Sequence, residues 1–235
     1  MSVWLTIPSA RPAAIADACF RQWKSLGYKV AVLRDDSCDL PHADLVPILA
    51  QYPGYAKAVN MLVRTAIAYD SAAEWFVIGG DDVYPDPSHS ADEIAAECRA
   101  HFGEKGTRRF ATFGVMQPTG DQWGDAQGPY IERVAGSAWI GRGFALHVYD
   151  GLGPLWPEYT HMFVDEELQC VAEHLGVFWQ RPDLVHRHEH CLRRRALPED
   201  LAPHLRKWNT PEHWRQSKAL FERRKAAGFP ALLEA

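Results

Sequence analysis

Glu74-Trp75-Phe76-Val77-Ile78-Gly79-Gly80-Asp81-Asp82-Val83-Tyr84-Pro85 is the stretch that decides the fold. An apolar run of Val, Ile and aromatics reads as a buried strand, and two glycines followed by two aspartates end it at something charged. In open α/β sheets, ligands bind outside the carboxyl ends of the strands. Two adjacent carboxylates there, preceded by residues without a Cβ, suit a hard divalent cation carrying phosphates. An Asp-rich turn closed by Pro85 accounts for the same residues without a ligand, so the neighbouring segments must decide.

Upstream, Val3 to Ile7 is a first strand. It runs into Pro8-Ser9-Ala10-Arg11-Pro12, a loop with an N-cap serine and a basic residue near a helix start. From Ala13 to Leu26 the spacing of Ile15, Cys19, Phe20, Trp23 and Leu26 predicts one apolar helical stripe closed by Gly27. Tyr28 to Arg34 is a second strand, ending on Asp35-Asp36. Strand, helix and strand in so short a span make a βαβ unit. Asp39 to Pro53, with three prolines, reads as a connecting loop. Gly54 to Tyr69 is a strong helix burying Val59, Leu62, Val63, Ala66 and Ile67, with Lys57, Asn60 and Arg64 on another face. That face is either solvated or a phosphate or sugar contact near a helix N-terminus.

Downstream, Ser88 to Phe102 is a helix and Arg109 to Val115 a strand. Gln117 to Pro129 is a polar loop carrying Trp123, a candidate stacking platform or an indole tucked onto its own core. Tyr130 to Ile140 is strand-like but broken at Gly136-Ser137, and Arg142 to Tyr149 is a short helix. A helix beginning near Asp165 opens with Asp165, Glu166 and Glu167. Such acids complement a helix dipole with no further role, or one of them takes a proton from an acceptor hydroxyl. Val177 to Gln180 is a final core strand. In the extended segment that follows, His186, His188 and His190 share one side. Neighbours along one strand rarely converge on one ion, which favours a single histidine joining the aspartates.

Composition narrows the function classes. The chain has 235 residues, 47% of them hydrophobic, enough for one large core. A net charge of −5 excludes a protein basic overall, yet from Leu192 onward arginine and lysine gather around Trp208 and Trp214. Such a run is a solvated helical face or a footprint for a polyanion. Five scattered cysteines without a CxxC spacing point to reduced thiols and a cytoplasmic setting. No stretch approaches the roughly 18 apolar residues of a membrane span, and the first residues do not read as a signal peptide.

In their order, these parts resemble a GT-A fold glycosyltransferase of the family 2 type: the βαβ unit ending in Asp35-Asp36, the helix with Gly54 and Asn60, the strand ending in Asp81-Asp82, the helix opened by Asp165-Glu166-Glu167, and the histidine segment. The resemblance covers about residues 2 to 190. It implies an α/β fold with a Rossmann-like mixed central sheet flanked by helices. Residues 1–191 would form the nucleotide-sugar and catalytic domain, and 192–235 a basic helical extension packed on it. It implies transfer of a sugar from a nucleotide diphosphate donor to an acceptor hydroxyl, dependent on manganese or magnesium and inverting in outcome. By resemblance, Pro8, Ser9, Arg11, Asp35, Asp36, Lys57, Asn60, Gly80 and Asp81 meet the donor. Asp81, Asp82 and His188 hold the metal, with His186 and His190 as rivals. The base is Asp165 or Glu166, and Trp123, Gly136, Ser137 and Trp139 face the acceptor. The family's Asp-X-Asp-Asp pattern lacks its first Asp here, leaving Asp81 as ligand and Asp82 as support. The acceptor is a glycan, a small molecule, or a hydroxymethylated DNA base reached through the basic tail. Alternatives are a nucleotidyltransferase, although its Gly-rich phosphate loop is missing, and a non-catalytic nucleotide-sugar-binding protein.

Overall fold

The computed structural model describes residues 1–104, 111–121, 124–125, 128–129, 134–190, 193 and 203–229. In chain order these form β1 (Ser2–Pro8), α1 (Ala13–Ser25), β2 (Lys29–Leu33), α2 (Tyr55–Tyr69), β3 (Ala73–Val77), β4 (Val83–Tyr84), α3 (Ala91–Glu104), β5 (Val115–Pro118), β6 (Gly124–Asp125), β7 (Gly128–Pro129), β8 (Trp139–Gly141), α4 (Arg142–His147), α5 (Val164–His174), β9 (Phe178–Arg181), β10 (Arg187–His188), α6 (Pro203–Trp208) and α7 (Pro211–Ala226).

The central sheet has six strands in the order β2-β1-β3-β8-β5-β9. β1 pairs in parallel with both β2 and β3, and β5 in parallel with β9, while β8 runs antiparallel to its neighbours β3 and β5. This is a mixed α/β sheet with Rossmann-like βαβ connectivity at its start. Helices α1 to α5 pack on its strands, which is why β1 is apolar on both faces from Val3 to Ile7 but for Thr6: a strand covered on both faces has no side for water. Thr6, fully buried among those residues, satisfies its hydroxyl on the Val77 carbonyl at 3.2 Å.

Three expectations shift. The first helix buries Ala16, Cys19, Phe20 and Trp23 and leaves Ile15 52% exposed, because the stripe starts at residue 16. The proline-rich segment after β2 is more than a connection. Val32 and Arg34 donate their N–H groups to Leu45 and Pro47, and Leu49 donates to Arg34, so the segment covers the open edge of β2. Proline breaks a continuous ladder but leaves carbonyls to accept. Finally, of the strand expected over Arg109–Val115, Arg109 and Phe110 lie outside the described residues, Ala111 and Thr112 form a turn, and β5 runs from Val115 to Pro118, which pairs with Arg181 of β9.

Among the described residues no helix is long and apolar enough to cross a membrane. Cys19, Cys38, Cys98 and Cys170 are free thiols. Within the C-terminal segment the described residues form α6 and α7, and α7 packs on α5.

Candidate functional site

β1, β2 and β3 lie side by side and parallel, so their carboxyl ends open at the same edge of the sheet. Past β3 the chain turns through Gly79 (φ +144°) and Gly80. A Cβ at Gly80 would stand 2.5 Å from Asp82 Oδ1, so this glycine lets the Asp82 carboxylate fold back over the turn. Trp23 of α1 pins the next residue, donating its indole N–H to the Val83 carbonyl at 2.9 Å.

The strand ends then meet through side chains. Ser9 Oγ donates to Asp81 Oδ2 at 2.5 Å. Arg11 spans the acidic pair, with Nε 2.7 Å from Asp81 Oδ1 and Nη2 3.0 Å from Asp82 Oδ2. From the end of β2, buried Arg34 donates to the Arg11 carbonyl at 2.7 Å and to Ser9 Oγ at 3.3 Å, and pairs with Asp36 at 2.7 Å. Asp35 and Asp36 are both exposed. Thus Ser9, Arg11, Asp36, Asp81 and Asp82 come together, with Arg34 as a member that the sequence reading missed.

β10 supplies the histidine side. It pairs antiparallel with β4, placing His188 opposite Val83 and Arg187 opposite Tyr84. His188 Nε2 lies 3.4 Å from Asp82 Oδ1. Burial pushes the Asp82 carboxyl up, but the His188 hydrogen bond, followed by the charges of His188, Arg11 and His190, outweighs it and leaves the carboxyl below its usual range. His190 stacks edge-on against His188, and burial together with that neighbour pushes its imidazole down to about 4. His186 is a core residue. It is 3% exposed, with Nδ1 on the Ser137 backbone oxygen at 3.0 Å and Nε2 3.4 Å from the Trp139 indole nitrogen. Burial drives it down to about 4 as well. Of the three histidines, the structure brings His188 to the acidic pair.

α5 begins after Phe163, whose φ of +65° turns the chain sharply into the helix. Its three acids have separate surroundings. Glu166 is pushed up to about 9 by burial and then by a hydrogen bond with Asp165, and its Oε2 is buried with no hydrogen-bond partner among the described residues. Asp165 is near enough to Tyr55 and His161 to act on both phenol and imidazole. The Tyr55 hydroxyl, which also feels Asp82, donates to the Gly79 carbonyl at 3.0 Å and accepts the Gly79 N–H at 2.9 Å. One phenol therefore ties the α2 start to the acidic turn, with Asp165 and Asp82 both close by. Glu167 belongs elsewhere. It is 1% exposed, accepting Tyr149 and Tyr159 hydroxyls at 2.7 and 2.8 Å and a guanidinium from Arg224 of α7 at 2.8 Å.

The remaining candidates are apart from this cluster. Asn60 is buried and uses both ends of its amide on the Leu155 backbone, at 2.7 and 3.1 Å. A Cβ on Gly153 (φ +121°) would lie 2.5 Å from that amide, so Gly153→Ala should cost on the order of 1–3 kcal/mol in a urea melt. An unchanged midpoint would mean that the loop adapts. Exposed Lys57 lines, with Asn60, Arg64 and Leu152, a cleft of about 360 Å³ whose lining includes neither aspartate. Trp139 is fully buried, and Ser137 is held by Gln117 and His186. Gly136 adjoins Gly79. Trp123 lies outside the described residues, as do Arg194 and Arg195. Among the described residues of the basic tail, Arg193 pairs with Asp121, Arg215 with Glu212, Arg223 with Glu158 and Arg224 with Glu167. Lys207 and Lys218 lie over the rings of Trp208 and Trp214, each at 5.0 Å, and Trp214 is 45% exposed.

The manganese or magnesium implied by the resemblance can be tested on this geometry. Two carboxylates and an imidazole are suitable donors, and the Arg11 guanidinium already stands in as a cation between the carboxylates. Among the described residues no three such donors yet close on one point. The donor types suit a divalent ion, and Arg11 lies between the two carboxylates.

A mixed α/β sheet with an acidic cluster at the carboxyl ends of adjacent parallel strands is thus the class that fold and site define. No family model matches the chain, and no curated protein matches it. Solved structures do. A glycosyltransferase involved in the glycosylation of the major capsid of PBCV-1 is similar at 11% identity and a TM-score of 0.35, over 61% of this chain and 62% of that one. A197 from STIV is similar at 12% identity and a TM-score of 0.42, over 81% and 86%.

Proposed function

We propose that the protein is a glycosyltransferase that moves a sugar from a nucleotide diphosphate donor to an acceptor hydroxyl. The observation that carries this reading is the hydrogen-bonded meeting of Ser9, Arg11, Arg34, Asp36, Asp81 and Asp82 at the ends of three adjacent parallel strands, with Asp165 across Tyr55. Ligands of open α/β sheets bind at such an edge. In this reading Arg11 meets the diphosphate, as a guanidinium suits phosphate oxygens, and the acids beyond β2 meet the nucleoside. Asp81, Asp82 and His188 would hold manganese or magnesium, which when bound supplies positive charge to a leaving diphosphate.

The acceptor oxygen attacks the anomeric carbon while the carbon–oxygen bond to the diphosphate breaks, its electron pair leaving on the diphosphate. The acceptor proton passes to Asp165, and configuration inverts. Glu166, kept protonated, holds Asp165 in place and offers Oε2 as a partner for an incoming hydroxyl. Incubation with a panel of nucleotide diphosphate sugars tests the reading. Slow release of a nucleoside diphosphate is expected from at least one donor. Pyrophosphate release would indicate nucleotidyl transfer instead, and no release together with no nucleotide binding would end the enzymatic reading.

A further inference from the structure

We infer that Arg11 is an internal counter-ion that competes with a divalent cation for Asp81 and Asp82, so that cation and diphosphate bind cooperatively. The inference rests on the donor site proposed above. Arg11 is fixed from both ends. Its carbonyl accepts from buried Arg34 at 2.7 Å, and its head group spans the two carboxylates at 2.7 and 3.0 Å. Guanidinium stays charged at any accessible pH, so loss of its proton does not clear the acidic pair. A cation approaching the carboxylates must move a like charge away.

The guanidinium can move because it is not sealed in. Its side chain is 26% exposed, against 12% and 18% for the two carboxylates. It also has somewhere to go, since a diphosphate bound at the strand ends offers it another set of oxygens in the bidentate geometry it prefers. Diphosphate would then draw Arg11 off the aspartates and expose them together with His188, 3.4 Å from Asp82. By linkage the cation must raise diphosphate affinity by the same factor. Arg11 thereby offsets part of the acidic pair's charge until donor arrives, and favours loading of cation and donor together over loading of cation alone.

Calorimetric titration of Mn²⁺ into the whole protein, with and without inorganic pyrophosphate, tests this. Without pyrophosphate, Arg11→Ala should bind Mn²⁺ about tenfold more tightly than the natural protein, within the usual range of coupling. Arg11→Lys, which keeps the charge but not the two-carboxylate span, should fall between. Adding pyrophosphate should tighten Mn²⁺ binding to the natural protein by about the same factor, and much less in Arg11→Ala. Asp81→Ala should abolish Mn²⁺ binding in every background. Circular dichroism melts check folding, and Arg11→Lys carries the comparison if Arg11→Ala is unstable. Equal or weaker Mn²⁺ binding in Arg11→Ala overturns the inference, as does a natural protein whose Mn²⁺ affinity ignores pyrophosphate. If neither protein binds Mn²⁺ while sugar-donor hydrolysis persists in EDTA, the competition is wrong and the glycosyltransferase reading survives. Loss of both nucleotide binding and hydrolysis overturns both.

Discussion

Asp165→Asn is expected to lower turnover roughly 10²-fold or more with nucleotide diphosphate affinity unchanged, the pattern of lost general-base catalysis. Glu166→Gln is expected to cost under about tenfold, because catalysis asks different things of the two acids. Burial and the neighbouring Asp165 raise Glu166 to about 9, so at neutral pH it carries the pair's proton. An amide reproduces that donor. Asp165, whose charge reaches Tyr55 and His161, is the acid assigned the proton transfer. Single-turnover rates and calorimetry on both variants decide the matter. A larger loss in Glu166→Gln would reverse the roles, and near-normal turnover in both would reduce the acids to dipole partners.

The same shift sets a pH dependence of stability. Because its folded value is raised, Glu166 binds a proton in the native state at pH values where the unfolded chain has released it. Its contribution is full below about 4.5 and is lost as pH rises through about 9. Glu166→Gln should flatten the decline in melting temperature across that window.

Glu167→Ala should destabilise the fold by about 3–5 kcal/mol, the usual cost of stranding one partner of a buried ion pair. Glu167 and Arg224 are 1% and 4% exposed. Truncation leaves Arg224 without its carboxylate, and the Tyr149 and Tyr159 hydroxyls without the acceptor that now receives both. Arg224 also lies 3.5 Å over the Trp156 ring, so its loss would remove packing as well as charge. Arg224→Met alone should be similarly costly. The double variant Glu167→Leu with Arg224→Met should cost much less than the two single losses added, since no charge is then left unpaired. Urea unfolding of the three proteins measures this. A single-variant loss below about 1 kcal/mol, the range of exposed pairs, would show that water reaches the pair.

The sheet was legible wherever burial wrote a local pattern. Val3–Ile7, apolar but for Thr6, and the unbroken run Trp75–Ile78 are buried because helices cover the sheet, and Asp81-Asp82 stands out because charge abruptly follows such a run. Strand direction carried no such mark: Trp139–Gly141 is three residues long, and nothing local says that it runs against its neighbours. Side-chain roles set by distant partners were equally hidden. Asn60 looked like a ligand contact because polar residues near helix starts often are, but a backbone 95 residues away takes both ends of its amide. Arg34, Tyr55 and the difference between Glu167 and its two acidic neighbours became visible only once β1, α5 and α7 were placed together. The period of two put three histidines on one side, and could not say that His186 would be swallowed by the core.

The pairing of β4 with β10 also bears on how the protein reaches its native state. Val83 and His188 are distant in the chain, with most of the sheet's second half between them. Joining such remote segments closes a long loop, whose entropy must be overcome before the two-residue ladder repays it. The β1–β3 pairing that brings Arg11 to the aspartates closes a shorter loop than the β4–β10 pairing that brings His188, so Arg11 is expected to arrive first. During synthesis, a nascent chain with its first three strands folded would already set Arg11 between Asp81 and Asp82, offsetting part of their negative charge while the histidine arm is still being made.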